Sequence, residues 1–203
     1  MSKQLDSCEC CGLSMAPYGT AVNLIGGLSM APYTYDYQPL PCSDVSSVFL
    51  AGPSSETRWR HTAFDALRDG GFRGRIVVPE FQNGIFDKSR FDDGKPSTVP
   101  GMSRSSERIL DWETAGIENS SVLMVWMPYT DFADSRHWTG LSTRSEASRA
   151  IGSHEGRKRL VLGMPDDAFR SGQERYHAHR NGVVIHRSLA ATCRAVLDVL
   201  GIS

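Results

Sequence analysis

The stretch Ser121–Pro128, SVLMVWMP, constrains this chain more than any other. It is a continuous apolar run closed by proline, with no alternation of apolar and polar positions. A strand with one face in water alternates, whereas an unbroken run suits a strand covered on both faces, as in a parallel sheet with helices above and below. The neighbouring segments agree with that placement. Val48–Ala51 reads as a first strand, and Glu56–Asp69 as a first helix with Trp59, Ala63, Ala66 and Leu67 on one face and Gly70-Gly71 as its stop. GRIVVPE supplies a second strand, Arg75–Val78, and Glu107–Glu118 a second helix. After the central strand comes a helix from about Thr143, then a strand within KRLVLGMP and a helical or irregular DDAFRSGQERYHAHRNG. A short strand, Val183–Ile185, and a closing helix, Ser188–Leu200, complete the series.

Five strands alternating with helices predict an α/β, flavodoxin-like, doubly wound five-stranded parallel sheet with helices on both faces, spanning residues 46–203. Residues 1–45 differ. They are rich in Gly, Pro, Ser and Tyr and carry GLSMAPY twice, at Gly12–Tyr18 and Gly27–Tyr33. Two copies are too few for a stacked repeat array, so this segment is expected to be an irregular N-terminal arm. Two polar stretches, NGIFDKSRFDDGKPSTVPGMSRSS and YTDFADSRHWTG, are long for ordinary connections, and loops of that length usually carry function.

Composition narrows the partners. The 203 residues suit one domain with a full core, and a net charge of −1 does not favour nucleic-acid binding. No apolar run reaches the length of a membrane span and MSKQLDSCECC lacks the apolar core of a signal peptide, so a cytoplasmic protein without membrane attachment is expected. Of the five cysteines, Cys8, Cys10, Cys11 and Cys42 lie near the N-terminus and Cys193 in the closing helix. Cys8 and Cys11 have C-x-x-C spacing, but no second such pair or His pair completes a zinc site, and free thiols are the expectation. The histidines show no ligand spacing. G-x-S-x-G, P-loop and G-x-G-x-x-G motifs are absent from the sequence. Neither a metal nor a cofactor is called for.

Chemistry points to the carboxyl edge of the sheet, where open α/β folds bind ligands. Three segments should meet there: Gly52-Pro53-Ser54-Ser55, the region after Val78, and Pro128 through Glu146. Gly-Pro-Ser ending a strand presents backbone N–H groups and hydroxyls to a ligand, or it simply caps the following helix. Glu146, in LSTRSEASRA, has two readings as well. Thr143-x-x-Glu146 is a capping box, and the same carboxylate would face the ligand crevice. Glu113 follows Trp112 in the helix leading to the central strand and is the second candidate, against a solvated surface position. Asp111, Glu107 and Glu118 are expected to face water.

Taken in order, VFLAGPSSETRWRHTAFDALRDGGFRGRIVVPE, DWETAGIENSSVLMVWMP and GLSTRSEASRAIG resemble the nucleoside 2-deoxyribosyltransferase-like superfamily, over roughly Val48 to Leu162. The resemblance implies cleavage or transfer at the N-glycosidic bond of a nucleoside or nucleotide through a glycosyl-enzyme intermediate. Glu146 matches the nucleophile and Glu113 the acidic residue that holds or protonates the base, while Gly52, Pro53 and Ser54 match the loop beside the sugar. Trp112 and Trp59 are candidates for stacking on the base, Arg58 (with Arg60 and Arg144) for a 5′-phosphate, and Thr143 for the site beside Glu146. The resemblance also suggests a homodimer or higher homo-oligomer. Members that transfer deoxyribose carry a further Asp just before the nucleophile. Here those positions read Trp138-Thr139-Gly140-Leu141-Ser142, and the nearest acids are Asp131 and Asp134. Phe49 stands where such enzymes often have tyrosine. Transfer and hydrolysis therefore both stay open, beside a non-catalytic nucleotide-sensing module and an NAD glycohydrolase as alternatives.

Overall fold

A computed structural model describes residues 33–34, 46–53, 59–79, 94–128, 141–168 and 171–202. Ser54, Arg58, Asp131, Asp134, the four N-terminal cysteines and both GLSMAPY copies except Tyr33 lie outside the described residues. The elements are β1 (Tyr33–Thr34), β2 (Ser47–Ala51), α1 (Trp59–Asp69), β3 (Arg75–Val77), α2 (Arg104–Asn119), β4 (Val122–Trp126), α3 (Leu141–Gly152), α4 (His154–Arg159), β5 (Leu160–Gly163), α5 (Gly172–Arg180), β6 (Ile185–His186) and α6 (Leu189–Val199).

Every strand pairing is parallel, in the order β1-β3-β2-β4-β5-β6. The five strands expected from Val48 onward are present, in the interleaved order of a flavodoxin-like sheet. The arm adds one more: Tyr33 and Thr34 pair with Ile76 and Val77 at the open edge of β3. Residues 1–45 are thus not irregular throughout. A two-residue strand has no period to betray it, and β3's unpaired edge selects it.

The apolar run of β4 is buried at every position. Its side chains divide by the two-residue period of a strand. Val122, Met124 and Trp126 join Val48, Leu50, Trp59, Leu67, Cys193 and Val196 under α1 and α6. Leu123, Val125 and Met127 join Phe49, Trp112, Ala147, Leu162 and Ala178 under α2, α3 and α5. The result is helices on both faces of one sheet.

Helix boundaries follow local chemistry. Gly71, at φ +95°, ends α1: its N–H donates to Arg68 O, and the Phe72 N–H donates to Leu67 O at 2.9 Å. That is the Schellman closure the two glycines predicted. Helix α2 begins at Arg104, three residues ahead of the expected Glu107, because Ser103 caps it by accepting from the Ser106 N–H at 3.2 Å. Helix α3 begins at Leu141, so Thr143 is its third residue rather than its cap, and the capping-box reading of Thr143 and Glu146 does not hold.

Candidate active site

The carboxyl end of β2 is built around Arg60 and Trp59. The Trp59 indole Nε1 donates to Pro53 O at 3.1 Å. Arg60 donates from Nε to Leu50 O at 3.3 Å, from Nη1 to Pro53 O at 3.1 Å, and from Nη2 to Gly52 O. Both side chains are buried, Arg60 to 2% exposure. Gly52 is a glycine for packing reasons: a Cβ there would run into the Trp59 indole and lie 2.7 Å from Trp126 O. The turn that leaves the sheet is therefore held from beneath by two side chains of the helix that follows it.

This assigns Trp59 to the support of the turn, and it does not present a stacking face to a ligand. Trp112 is likewise core, 8% exposed, with its ring 6.1 Å from that of Phe49. Burying a large indole recovers more free energy than exposing one face, and in both cases the sheet takes the ring. Thr143 is 2% exposed, packed inside the third position of α3. Arg144 forms an ion pair at 2.7 Å with the buried Glu174 of α5. Of the arginines read as phosphate ligands, Arg60 and Arg144 are thus engaged within the protein.

The two glutamates singled out by the sequence do come together. On α2, Trp112 and Gly116 turn into the core, which leaves Glu113 and Ile117 toward the seam with α3. On α3, Thr143, Ala147 and Ala150 face the sheet, leaving Glu146 and Arg149 toward α2. Between the helices lies a cavity of about 390 Å³ lined by both carboxylates, Thr114, Ile117 and Arg149. Its far end is walled by α4, where Arg159 donates to the terminal carbonyls of α2 at Glu118 O (2.6 Å) and Ser120 O (2.8 Å).

Burial and mutual repulsion set the electrostatics. Loss of water raises the Glu113 carboxyl to about 7; the neighbouring Glu146 carboxylate adds to this, and Arg60 opposes it. Glu146 is also raised, by burial, against two opposing cations, Arg60 and Arg149. Arg60 therefore acts on both carboxylates from the end of β2. The cavity itself runs from this pair toward the amino ends of β4 and β5, where Leu123 and Arg159 line it.

Glu107 departs from the sequence expectation. It is buried, accepts from the Thr98 N–H (3.1 Å), the Thr98 hydroxyl and Arg104 Nη1 (3.0 Å), and its carboxyl is lowered to about 2, chiefly by the Thr98 hydroxyl. Asp111 and Glu118 are exposed as expected. Arg149 was missed, although its i+3 spacing from Glu146 is the signal that finds it. Among the described residues no group of three or more His, Cys, Asp or Glu is placed to hold a metal, and no helix is long and apolar enough to cross a membrane. Cys193 is a buried free thiol, raised by burial to about 11.

No protein-family model matches the chain, and no curated protein matches it.

Proposed function

We propose that this protein cleaves or transfers the N-glycosidic bond of a nucleoside or nucleotide, with Glu146 as nucleophile and Glu113 as the group that protonates the departing base. The observation that carries this reading is the pairing of two carboxylates in one cavity between α2 and α3, each with its proton affinity raised by burial. Neighbouring carboxyls whose surroundings separate their proton affinities divide into an acid and an anion. Arg60 and Arg149 both favour the charged form of Glu146, while Glu113 faces the charge of Glu146 itself. Glu113 is thus the proton holder, near the pH where a general acid is most useful.

The reaction divides into two displacements. A Glu146 oxygen attacks the anomeric carbon as the C–N bond breaks; the base leaves with the bonding pair and takes the Glu113 proton. A glycosyl ester remains on Glu146. Water, or a second base, then attacks the same carbon, loses a proton to Glu113 and releases the Glu146 carboxylate. Two carboxylates suit the oxocarbenium-like centre between these steps, one by trapping it and the other by shuttling a proton.

The test is incubation with nucleosides and 5′-monophosphates, with and without a second free base, followed by chromatography for released base. Wild-type protein should release base, and E146A should release none while keeping its circular dichroism spectrum. A new nucleoside in the two-base samples makes the protein a transferase. Binding without release in the wild type would overturn the enzyme reading and leave a nucleotide sensor.

A further inference from the structure

A buried carboxylate that the proposed chemistry does not use stands on α5. Glu174 is 3% exposed, and its Oε1 accepts from Arg144 Nη1 of α3 at 2.7 Å. Its other oxygen, Oε2, is buried with no hydrogen-bond partner among the described residues. A buried ion pair recovers its desolvation cost only when the remaining lone pairs are also met. With one oxygen left bare, this pair is a poor source of stability and a good fixed point. Its base is firm. The next residue, Arg175, donates from Nε to Ser171 Oγ at 2.9 Å and from Nη2 to Pro165 O at 2.5 Å, tying the first turn of α5 to the chain leaving β5.

Arg144 and Glu146 are neighbours but one on α3, about 200° apart around its axis. They therefore leave the helix on opposite sides, Arg144 to α5 and Glu146 to the cavity it shares with Glu113. Between them, toward the sheet, the helix is mostly small, with Thr143, Ala147 and Ala150, and small side chains raise low ridges that interlock little. On the cavity side, the Arg149–Glu118 bridge is more than half exposed and holds weakly. We propose that Glu174 is a positioning residue: through Arg144 it fixes the rotation of α3 about its axis, and so sets the Glu146 carboxylate in the cavity beside Glu113. With side chains reaching about 5–6 Å from the axis, a rotation of roughly 10° moves that carboxylate by about 1 Å. A displacement of that size costs a catalytic group on the order of 100-fold. The catalytic consequence rests on the glycosidic reading; the placement of α3 does not.

The experiment compares R144M/E174L and E174Q with the wild type by base-release kinetics and by carboxyl carbon NMR titration, with Glu113 identified by its missing signal in E113Q. R144M/E174L replaces the pair by apolar side chains of similar size, so it should fold and melt no lower than the wild type. Its kcat for base release should fall about tenfold or more with KM little changed, and its Glu113 midpoint should be displaced from about 7. The charges acting on Glu113 are Glu146 and Arg60, so loss of Arg144 and Glu174 displaces that midpoint only by moving Glu146. E174Q keeps the length and an acceptor for Arg144, and should stay close to the wild type in both readouts. Wild-type kcat and midpoint in R144M/E174L would make the pair a packing contact and overturn the proposal, as would an E174Q that loses as much as the double variant. If the double variant does not fold, E174D decides: it withdraws the anchor by a methylene, and a wild-type midpoint and kcat there overturn the proposal. If the wild type cleaves no substrate, the glycosidic reading fails, and the Glu113 midpoint in the double variant still decides the placement of α3.

Discussion

Glu107 and Glu113 stand on the same helix, six residues and about 9 Å of helical rise apart. One carboxyl is lowered to about 2 and the other raised to about 7. The first turn of α2 surrounds Glu107 with donors: the Thr98 N–H and hydroxyl and the Arg104 guanidinium. The third turn strips water from Glu113 and sets another carboxylate beside it, with one partly compensating arginine. Residue type and secondary structure are the same. What differs is whether the neighbours donate or repel, and this separates a latch that ties the chain at Thr98 to α2 from a proton-bearing group in a cavity.

The comparison breaks most severely at the partner of Glu113. E146A is expected to lower base release by about 1,000-fold or more, as loss of a covalent nucleophile does, and single-turnover chromatography measures it. In the same protein, or in E146Q, the Glu113 midpoint should fall below its wild-type position, since the Glu146 charge helps hold it up. A midpoint that stays at about 7 would leave burial as its whole cause.

E113Q should lower base release by about 100-fold for bases that leave only when protonated, and by less for bases that leave unaided. Its effect on stability has a definite sign. A carboxyl raised from 4.5 to about 7 binds its proton more tightly in the folded state, so wild-type stability falls as pH rises through that window. E113Q lacks this slope. Above pH 7 it should be more stable than the wild type, on the order of 2 kcal/mol by denaturant unfolding.

E107Q should do the opposite. The lowered carboxyl of Glu107 contributes stability above about 4.5 that is lost as pH falls toward about 2. E107Q should melt below the wild type at neutral pH, and the two melting curves should converge as pH approaches 2. A gap that persists at low pH would mean that the latch does not depend on charge. The smallest effect is expected from R149A. Its bridge to Glu118 is more than half exposed on both sides, and its loss should cost under about 1 kcal/mol. The Glu146 titration should nevertheless move upward, because Arg149 helps hold that carboxyl down.

Much of this arrangement was legible in the residues. SVLMVWMP alone required a strand covered on both faces, and the two-residue period of β2 and β4 assigned their side chains to opposite cores. Gly70-Gly71 ended α1 at the expected place because a left-handed residue after a helix leaves little but glycine to choose. The pairing of Glu113 with Glu146 was reached through motif order, and helical phase brought it about: the small and aromatic neighbours of each glutamate take the core positions. Local signals were weaker elsewhere. The Ser-rich run before α2 offered several caps, and only the hydrogen bond at Ser103 selects one. Helix α4 is six residues long, too short to show a period. Strand β1 exists because β3 has an edge to offer.

The sequence by itself determined the sheet and its crossover helices, because these follow from periods and punctuation that each segment carries alone. The tertiary structure decided what the charged side chains mean. Arg60 reads as a phosphate ligand until the end of β2 folds over it, Trp59 as a ligand platform until Gly52 packs upon it, and Glu107 as a solvated carboxylate until Thr98 reaches it. A carboxylate's proton affinity and an arginine's partner are set by distance and by exclusion of water, and both are properties of segments far apart in the chain.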